Sequence, residues 1–200
     1  MCIRDSYKND KMLSMRLEQA LATQKLVNNI KQKKRHGKFS NLARSCATLM
    51  NEVNGPNIAM LESNGWDTHK GQVKTLNKRF SELDDGIQAL RNGLKSSWQD
   101  TMFIVTTEFG RTVKINGTGG TDHGTATTMF IGGGAIGKTN QKKPMTGGKV
   151  LGQWPGLAPD NLFEGRDLMP TSNTFDWIAS ALQQHWQLSD SQISRIFPKA

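Results

Sequence analysis

The chain has 200 residues, of which 36% are hydrophobic and two are cysteines, and its net charge is +9. This length supports a single domain, or part of a larger one, with a hydrophobic core, and so low a cysteine content excludes a disulfide-stapled miniprotein. No apolar run approaches the ~18 residues that a membrane-spanning helix needs, so we expect no membrane span.

The spacing of apolar residues predicts helices that alternate with short strands. Apolar positions recur at helical intervals in several segments, and shorter apolar runs between them have the length of strands. In chain order the predicted elements are helices over 12–30 and 39–53, a strand over 57–62, a helix over 71–98, strands over 101–106 and 127–131, and a helix over 173–186. The strand over 101–106 is apolar throughout, which is typical of a strand buried on both faces. This alternation indicates an α/β fold with at least partly parallel strand pairing.

The positive charge is concentrated between the first two predicted helices. The cluster there contains no aromatic residues on which nucleic-acid bases could stack. A solvated loop is therefore favoured over a nucleic-acid surface, and we expect no nucleic-acid partner. The cluster comprises Lys31, Lys33, Lys34, Arg35 and Lys38.

A glycine-rich segment follows the third predicted strand, and residues 132–139 match the phosphate-loop pattern G-x-x-x-x-G-K-[ST] letter for letter. A phosphate loop continues directly into a helix whose N-terminus helps to hold the phosphates. Here Pro144, Gly147 and Gly148 stand where the first helical turns must form, and these residues disfavour a helix. We interpret the segment as a glycine turn and assign no nucleotide-binding residues. The alternative, a nucleotide-binding protein that uses Lys138, predicts measurable binding of ATP or GTP.

Acidic and imidazole side chains gather beside the predicted strands. Asp67 and His69 follow the first strand and point to the same side of an extended backbone, so they can share one cation, or the carboxylate can orient the imidazole. Glu108 follows the apolar second strand, at the end where open α/β sheets place their ligands. Asp122 and His123 end a glycine-rich loop just before the third strand. Three carboxylates and two imidazoles suit a divalent cation such as zinc, manganese or magnesium.

Each of these elements also has a purely structural interpretation. An Asp-x-His pair is often a hydrogen-bonded turn, and Glu108 has a nearby ion-pair partner in Arg111. Residues 116–118 fit a glycosylation sequon, although the surrounding sequence gives no reason to expect a glycan. An α/β domain whose polar residues beside the strands serve only its structure therefore stands as an alternative to a metal site.

Five short motifs together resemble domain-of-unknown-function family 1501, a bacterial group within the alkaline phosphatase-like, sulfatase-like superfamily. The matching stretches run in the order of the family across residues 39–198. They are GWDTH at 65–69 with Gln72, TEFGR at 107–111, GTDHG at 120–124, GQWP at 152–155 with Leu157, and RDL at 166–168 with Pro170 and Thr171. The resemblance implies an α/β/α sandwich with a mostly parallel sheet and a metal-centred site at the strand ends.

The resemblance also implies roles for individual residues. In the superfamily, an Asp and His pair, then an acid, then a His from a later loop hold the metal, which matches Asp67 with His69, Glu108 and His123. Asp122 is carried over as a further ligand. The expected cofactor is a divalent cation: zinc, manganese, magnesium or calcium. Arg111 is expected to clamp the anionic group of a small phosphate or sulfate ester, because guanidinium binds such oxygens in a bidentate manner.

Two departures from the superfamily pattern shape the functional hypothesis. Phe109 stands where the superfamily usually has a histidine, and the chain has no counterpart of the upstream nucleophile. Residues 1–6 resemble a translated sequencing adapter, which predicts a non-native leader followed by the carboxyl-terminal part of a single domain over 7–200. The leading hypothesis is therefore a fragment of a metal-dependent phosphatase- or sulfatase-like hydrolase. The alternative is a non-catalytic exported binding protein with the same fold.

The family resemblance also bears on the compartment. Members often carry a twin-arginine export signal, which predicts an exported, periplasmic full-length protein. A form that never carries such a signal is expected in the cytoplasm instead. No oligomeric state is predicted.

Overall fold

A computed structural model describes residues 10–29, 39–137 and 147–197. The chain divides into two compact units, one formed by residues 1–64 and 80–95 and the other by residues 65–79 and 96–200. The predicted leader, the basic cluster and Lys138 lie outside the described residues.

The regular secondary structure described in the first unit is helical, and its helices lie where the apolar spacing predicts them. Helix α1 spans Lys11–Asn29, α2 spans Phe39–Met50 and α3 spans Gln72–Leu94, of which residues 80–94 belong to this unit. Helix α3 stops earlier than predicted because Lys95 adopts a left-handed conformation with φ of 53°. A 3-10 turn over Lys95–Asp100 completes the predicted segment.

Small residues allow α2 and α3 to pack closely. Ala47 is fully buried, and a Cβ atom added at Gly93 would lie 2.6 Å from the Ala47 Cβ. Asn51 donates a hydrogen bond of 2.7 Å from Nδ2 to the carbonyl of Gly93 and so ties the end of α2 to α3. Cys46 is buried in the same unit, and burial raises the pKa of its thiol.

The prediction of a strand over 57–62 is wrong. These residues form no strand, and Ile58 and Met60 are 70% and 97% exposed. A strand is stabilised by its ladder of hydrogen bonds and cross-strand contacts, and no neighbouring strand pairs with this segment within the described residues.

The second unit contains the two longer strands that the sequence predicts. Strand β1 spans Phe103–Val105, and it pairs antiparallel with β4, which spans Phe130–Gly132. The expectation that β1 is buried on both faces is wrong, since all three of its residues are half-buried. Within the described residues β1 has a single partner strand. It is therefore less buried than a central strand, which has a neighbour on each side.

Two further strands are very short and lie between β1 and β4 in the chain. Strand β2 spans Gly110–Arg111, β3 spans His123–Gly124, and the two pair antiparallel. The fold is therefore a mixed helix and strand structure, which agrees with the predicted α/β class at that level. Both strand pairs in the described residues are antiparallel, unlike the partly parallel pairing that the alternation of elements predicts.

Two capped helices close the second unit. Helix α4 spans Thr174–Trp186, where the sequence predicts it, and the Asn173 side chain accepts a hydrogen bond from the Phe175 backbone N–H. Helix α5 spans Asp190–Ile196 and begins with a capping box between Ser189 and Gln192. No helix over the described residues is long and apolar enough to cross a membrane.

The glycines of the phosphate-loop pattern have a packing role in this unit. Gly133 has φ of 123°, and a Cβ there would collide with the Thr101 carbonyl oxygen. A Cβ at Gly134 would likewise collide with the Trp98 carbonyl oxygen. Glycine is therefore required here for close approach of two backbone segments, independently of any phosphate.

Candidate metal centre

Backbone pairing brings three sequence-distant segments of the second unit together. Strands β2 and β3 place Arg111 directly opposite His123. An isolated bridge pairs Lys70 with Gly119, and the Thr121 N–H donates to the Thr68 carbonyl at 3.3 Å. The loop that carries Asp67 and His69 therefore lies beside the loop that ends in Asp122 and His123.

The approach of these two loops depends on a glycine. Gly120 is buried, and a Cβ atom there would collide with the backbone carbonyl group of His69 and with the Thr68 carbonyl oxygen. No flexible side chain is available to move out of the way, because the obstructing atoms are backbone. Only glycine fits at this position without a shift of one loop.

Asp67, His69 and His123 form a compact cluster. The Asp67 Oδ1 atom lies 3.0 Å from Nε2 of His69 and 2.9 Å from Nε2 of His123. One ligand atom from each of the three residues lies within 4.8 Å of the others. The sequence predicts that Asp67 and His69 lie on the same side of the backbone, and this prediction is confirmed.

Arg111 also reaches the Asp67 carboxylate. Its NH2 atom lies 2.9 Å from Asp67 Oδ1, and it donates to the Trp66 carbonyl at 3.2 Å. Its NH1 atom donates to the Thr121 carbonyl at 3.0 Å. The guanidinium group therefore links both loops, and its role as an anion clamp stays a prediction.

Three rings stack beside the carboxylate. The Phe109 ring lies parallel to the His123 ring, with centroids 4.7 Å apart and an interplanar angle of 2°. The His69 ring stacks on His123 with a centroid distance of 5.1 Å, and the Arg111 guanidinium lies 5.0 Å from the centre of the Phe109 ring. Phe109 therefore supports the orientation of His123.

The two carboxylates of the site are held in their ionised forms. The hydrogen bond with His123, aided by electrostatic interactions with His69, His123 and Arg111, lowers the pKa of Asp67 below its usual value. Hydrogen bonds from Asn116 and His69 lower the pKa of Asp122. Both side chains are therefore available as anions at neutral pH.

Of the five predicted ligands, Asp122 lies beside this cluster, with its Oδ1 atom 3.1 Å from Nδ1 of His69, and Glu108 lies outside it. It is exposed, and it lies on the turn between β1 and β2. Within the described part of the chain, the compact cluster of ligand atoms comprises Asp67, His69 and His123 and does not include Glu108. Its role as a ligand stays a prediction.

Polar residues beneath the cluster hold the loops in place, and residue-by-residue reasoning missed most of them. Gln72 accepts hydrogen bonds at Oε1 from the buried hydroxyls of Thr68, at 3.0 Å, and Thr121, at 2.7 Å. Asn116 donates from Nδ2 to the His69 carbonyl at 3.1 Å. An Asn before a glycine-rich run is a typical start of an Asx turn, and that signal at residues 116–120 could have identified Asn116.

Asp167 anchors a further segment to β2 and β3. It is 2% exposed, it pairs through the backbone with Thr112, and its carboxylate accepts hydrogen bonds of 2.9 Å from Thr125 and 2.8 Å from Arg166. Burial of the Asp167 carboxyl opposes ionisation, but the hydrogen bonds from Arg166 and Thr125 outweigh it and hold the pKa below its usual value.

The Asp167→Asn substitution is expected to lower the free energy of unfolding by about 2 kcal/mol at neutral pH, since it weakens buried charge-assisted hydrogen bonds. A lowered native pKa means that the carboxylate stabilises the fold fully above its unfolded pKa of about 4. That contribution is lost as pH falls through the native pKa, so the two proteins should converge in acid. Urea denaturation at neutral and acidic pH measures the difference in free energy of unfolding between the native protein and the variant. The Asp160→Asn variant, changed at an exposed residue, is the control. An equal difference at every pH would contradict it.

A family model described as "Protein of unknown function (DUF1501)" matches residues 5–197. The chain belongs to the DUF1501 family. The match covers almost the whole chain and includes every residue of the cluster, which confirms the family that the five motifs predict. Comparisons with curated proteins and with solved structures returned no match. In this DUF1501 protein the first three motifs contribute directly to the site: GWDTH supplies Asp67 and His69, TEFGR supplies Arg111, and GTDHG supplies His123.

Proposed function

We propose that this DUF1501 protein binds one divalent cation through Asp67, His69 and His123. The observation that carries the proposal is the convergence of three nitrogen atoms, from His69, His123 and Arg111, within 3.0 Å of a single oxygen, Asp67 Oδ1. A carboxylate oxygen has about two lone-pair sites. One of the three contacts therefore lacks a good hydrogen bond, and a cation shared by the carboxylate and the two imidazoles resolves this crowding.

The spacing of the donor atoms supports the proposal. Ligand atoms of a tetrahedral zinc site lie roughly 3.3 Å apart when each is about 2.0–2.1 Å from the metal. The Asp67 to His69 and Asp67 to His123 contacts of 3.0 and 2.9 Å need to open by only a few tenths of an ångström. Two imidazoles and one carboxylate suit zinc or manganese better than calcium, which prefers oxygen ligands alone.

For the reaction class, we propose hydrolysis of a small phosphate or sulfate ester. A divalent cation bound here would supply a Lewis acid that polarises a phosphoryl or sulfuryl oxygen. Arg111 lies against the same carboxylate and would add positive charge toward the ester anion. This role also rests on the sulfatase-like resemblance, with its α/β/α sandwich and mostly parallel sheet, and on an upstream half that contributes the nucleophile.

A specific observation favours the second candidate, a non-catalytic exported binding protein. The hydroxyls of Thr68 and Thr121, the residues that precede His69 and Asp122, are buried and donate to Gln72. Neither is therefore free to act as a nucleophile toward a bound ester.

Both candidate functions include export of the protein. Fractionation of cells that express the full-length gene tests whether it is exported.

Inorganic phosphate is a suitable probe for the proposed function, because its binding requires no nucleophile. We expect calorimetry to detect phosphate or sulfate binding by zinc- or manganese-loaded protein and none by chelator-treated protein. The His123→Ala variant should lose this metal-dependent binding, whereas His185→Ala, which removes a histidine outside the cluster, should keep it. Equal binding with and without metal would contradict the proposal.

Turnover of an ester distinguishes the hydrolase from the non-catalytic binding protein. Metal-loaded protein that includes the proposed upstream half is expected to hydrolyse a nitrophenyl phosphate or sulfate, and removal of the metal should lower the rate roughly 100-fold or more. Metal-dependent phosphate binding without turnover of either ester supports the binding protein instead.

A further inference from the structure

We propose that Asp122 and Asn116 form a relay that fixes the tautomer of His69, with Asp122 as a positioning residue and not a metal ligand. The inference rests on the proposed metal centre and names the groups that orient one of its ligands. In the neutral imidazole one ring nitrogen carries the proton and the other carries the lone pair that a metal needs. The partner of Nδ1 therefore decides whether Nε2 of His69 is available to a cation.

The two ring nitrogens of His69 face different carboxylates. Nδ1 lies in a hydrogen bond of 3.1 Å with Asp122 Oδ1, whereas Nε2 lies 3.0 Å from Asp67 Oδ1 inside the cluster. Asp122 therefore contacts the ring nitrogen that does not face Asp67. A carboxylate in that position holds a metal-binding imidazole by its second nitrogen and raises the basicity of the first.

The number of hydrogen bonds favours the proton on Nδ1. Asp67 Oδ1 already has Arg111 NH2 and His123 Nε2 at 2.9 Å, which occupy its two lone-pair sites. Among the described residues, Asp122 Oδ1 has one other donor, Nδ2 of Asn116 at 3.1 Å, which leaves a lone-pair site for the His69 proton. The Nε2 lone pair of His69 then points into the cluster.

Asn116 fixes the positions of Asp122 and His69 relative to each other. Its Nδ2 donates to Asp122 Oδ1 and to the His69 carbonyl, both at 3.1 Å. Its Oδ1 accepts from the backbone N–H groups of Thr118 and Gly120, both at 3.0 Å. The carboxamide at the start of the sequon at 116–118 is therefore engaged within the loop, where it aligns the relay.

The first test reads the tautomer without any metal. In metal-free protein labelled with ¹⁵N, at a pH where His69 is neutral, two-bond ¹H–¹⁵N correlations report which ring nitrogen is protonated. We expect Nδ1–H in the native protein and in the control Asp160→Asn, and a shift toward Nε2–H in Asp122→Asn and in Asn116→Ala. Protonation at Nε2 in the native protein, or the same tautomer in all four proteins, overturns the relay.

The second test reads metal binding in the same variants. We expect Asp122→Asn to keep one equivalent of Zn²⁺ but to bind it about 10–100-fold more weakly, as is usual when a supporting group is lost. Affinity equal to that of the native protein overturns the relay, and complete loss of Zn²⁺ like that of His69→Ala makes Asp122 a ligand. If the native protein binds no Zn²⁺ while the tautomer behaves as expected, the proposed metal centre fails and the hydrogen-bond relay stands.

Discussion

The Asp67→Ala variant is expected to lose Zn²⁺ binding by more than the roughly 10–100-fold that removal of a supporting group costs. Asp67 Oδ1 is the atom that His69, His123 and Arg111 all approach, so its removal takes away the only negative charge inside the cluster. Without it, the two imidazoles lie beside the positive charge of the Arg111 guanidinium with no carboxylate to offset the repulsion of a cation. Competition with a chromophoric chelator measures the affinity.

Matched variants distinguish loss of a ligand from general damage. Asp160 is an exposed carboxylate of the same unit, so Asp160→Ala should bind Zn²⁺ like the native protein. Circular dichroism should show that Asp67→Ala keeps its helices. Glu108→Ala adds a further distinction, because loss of metal in that variant would make Glu108 a fourth ligand. Zn²⁺ affinity in Asp67→Ala equal to that in Asp160→Ala would exclude Asp67 as a ligand.

The Gly120→Ala variant is expected to lower the free energy of unfolding by about 2–3 kcal/mol, in the range seen when extra atoms are forced into a packed region. The added Cβ meets the backbone of His69 and Thr68, so one of the two loops must move. Such a shift also separates His69 from the Asp122–His123 side of the site. The variant should therefore bind Zn²⁺ more weakly as well.

Gly117 provides the control, because it lies in the same loop and a Cβ there would meet nothing within 4 Å. Gly117→Ala should change the free energy of unfolding by no more than about 0.5 kcal/mol, as is usual for surface substitutions. Chemical denaturation measures both variants. A Gly120→Ala protein as stable as Gly117→Ala would show that the two loops do not approach as closely as the structure places them.

The residue types and spacings were sufficient to predict helices α1 to α4 and to single out Asp67, His69 and His123, which the structure brings together. Helices α2 and α4 form where apolar residues recur at helical spacing, a pattern that is visible in sequence. Asp67 and His69 could be predicted to face one way because alternation along extended backbone is a local property.

Strand pairing and supporting contacts were harder to predict because they depend on residues far apart in sequence. Nothing local to 57–62 reveals that no strand of the described residues pairs with this segment, and nothing local to Glu108 reveals that its carboxylate is not among the ligand atoms of the cluster. Asn116 and Gln72 act through contacts that span 47 and 49 residues. Helix α5 is different, since its capping box is a local signal that could have been used.

X-ray absorption spectroscopy of the zinc-loaded protein tests the metal centre most directly. The proposed site predicts one zinc per chain, with two imidazole ligands at about 2.0–2.1 Å and at least one carboxylate oxygen at a similar distance. In the His123→Ala variant the imidazole contribution should fall to that of one ring or the zinc should be absent. A native spectrum without imidazole scattering, or zinc at less than one equivalent in folded protein, would contradict the assignment of Asp67, His69 and His123 as its ligands.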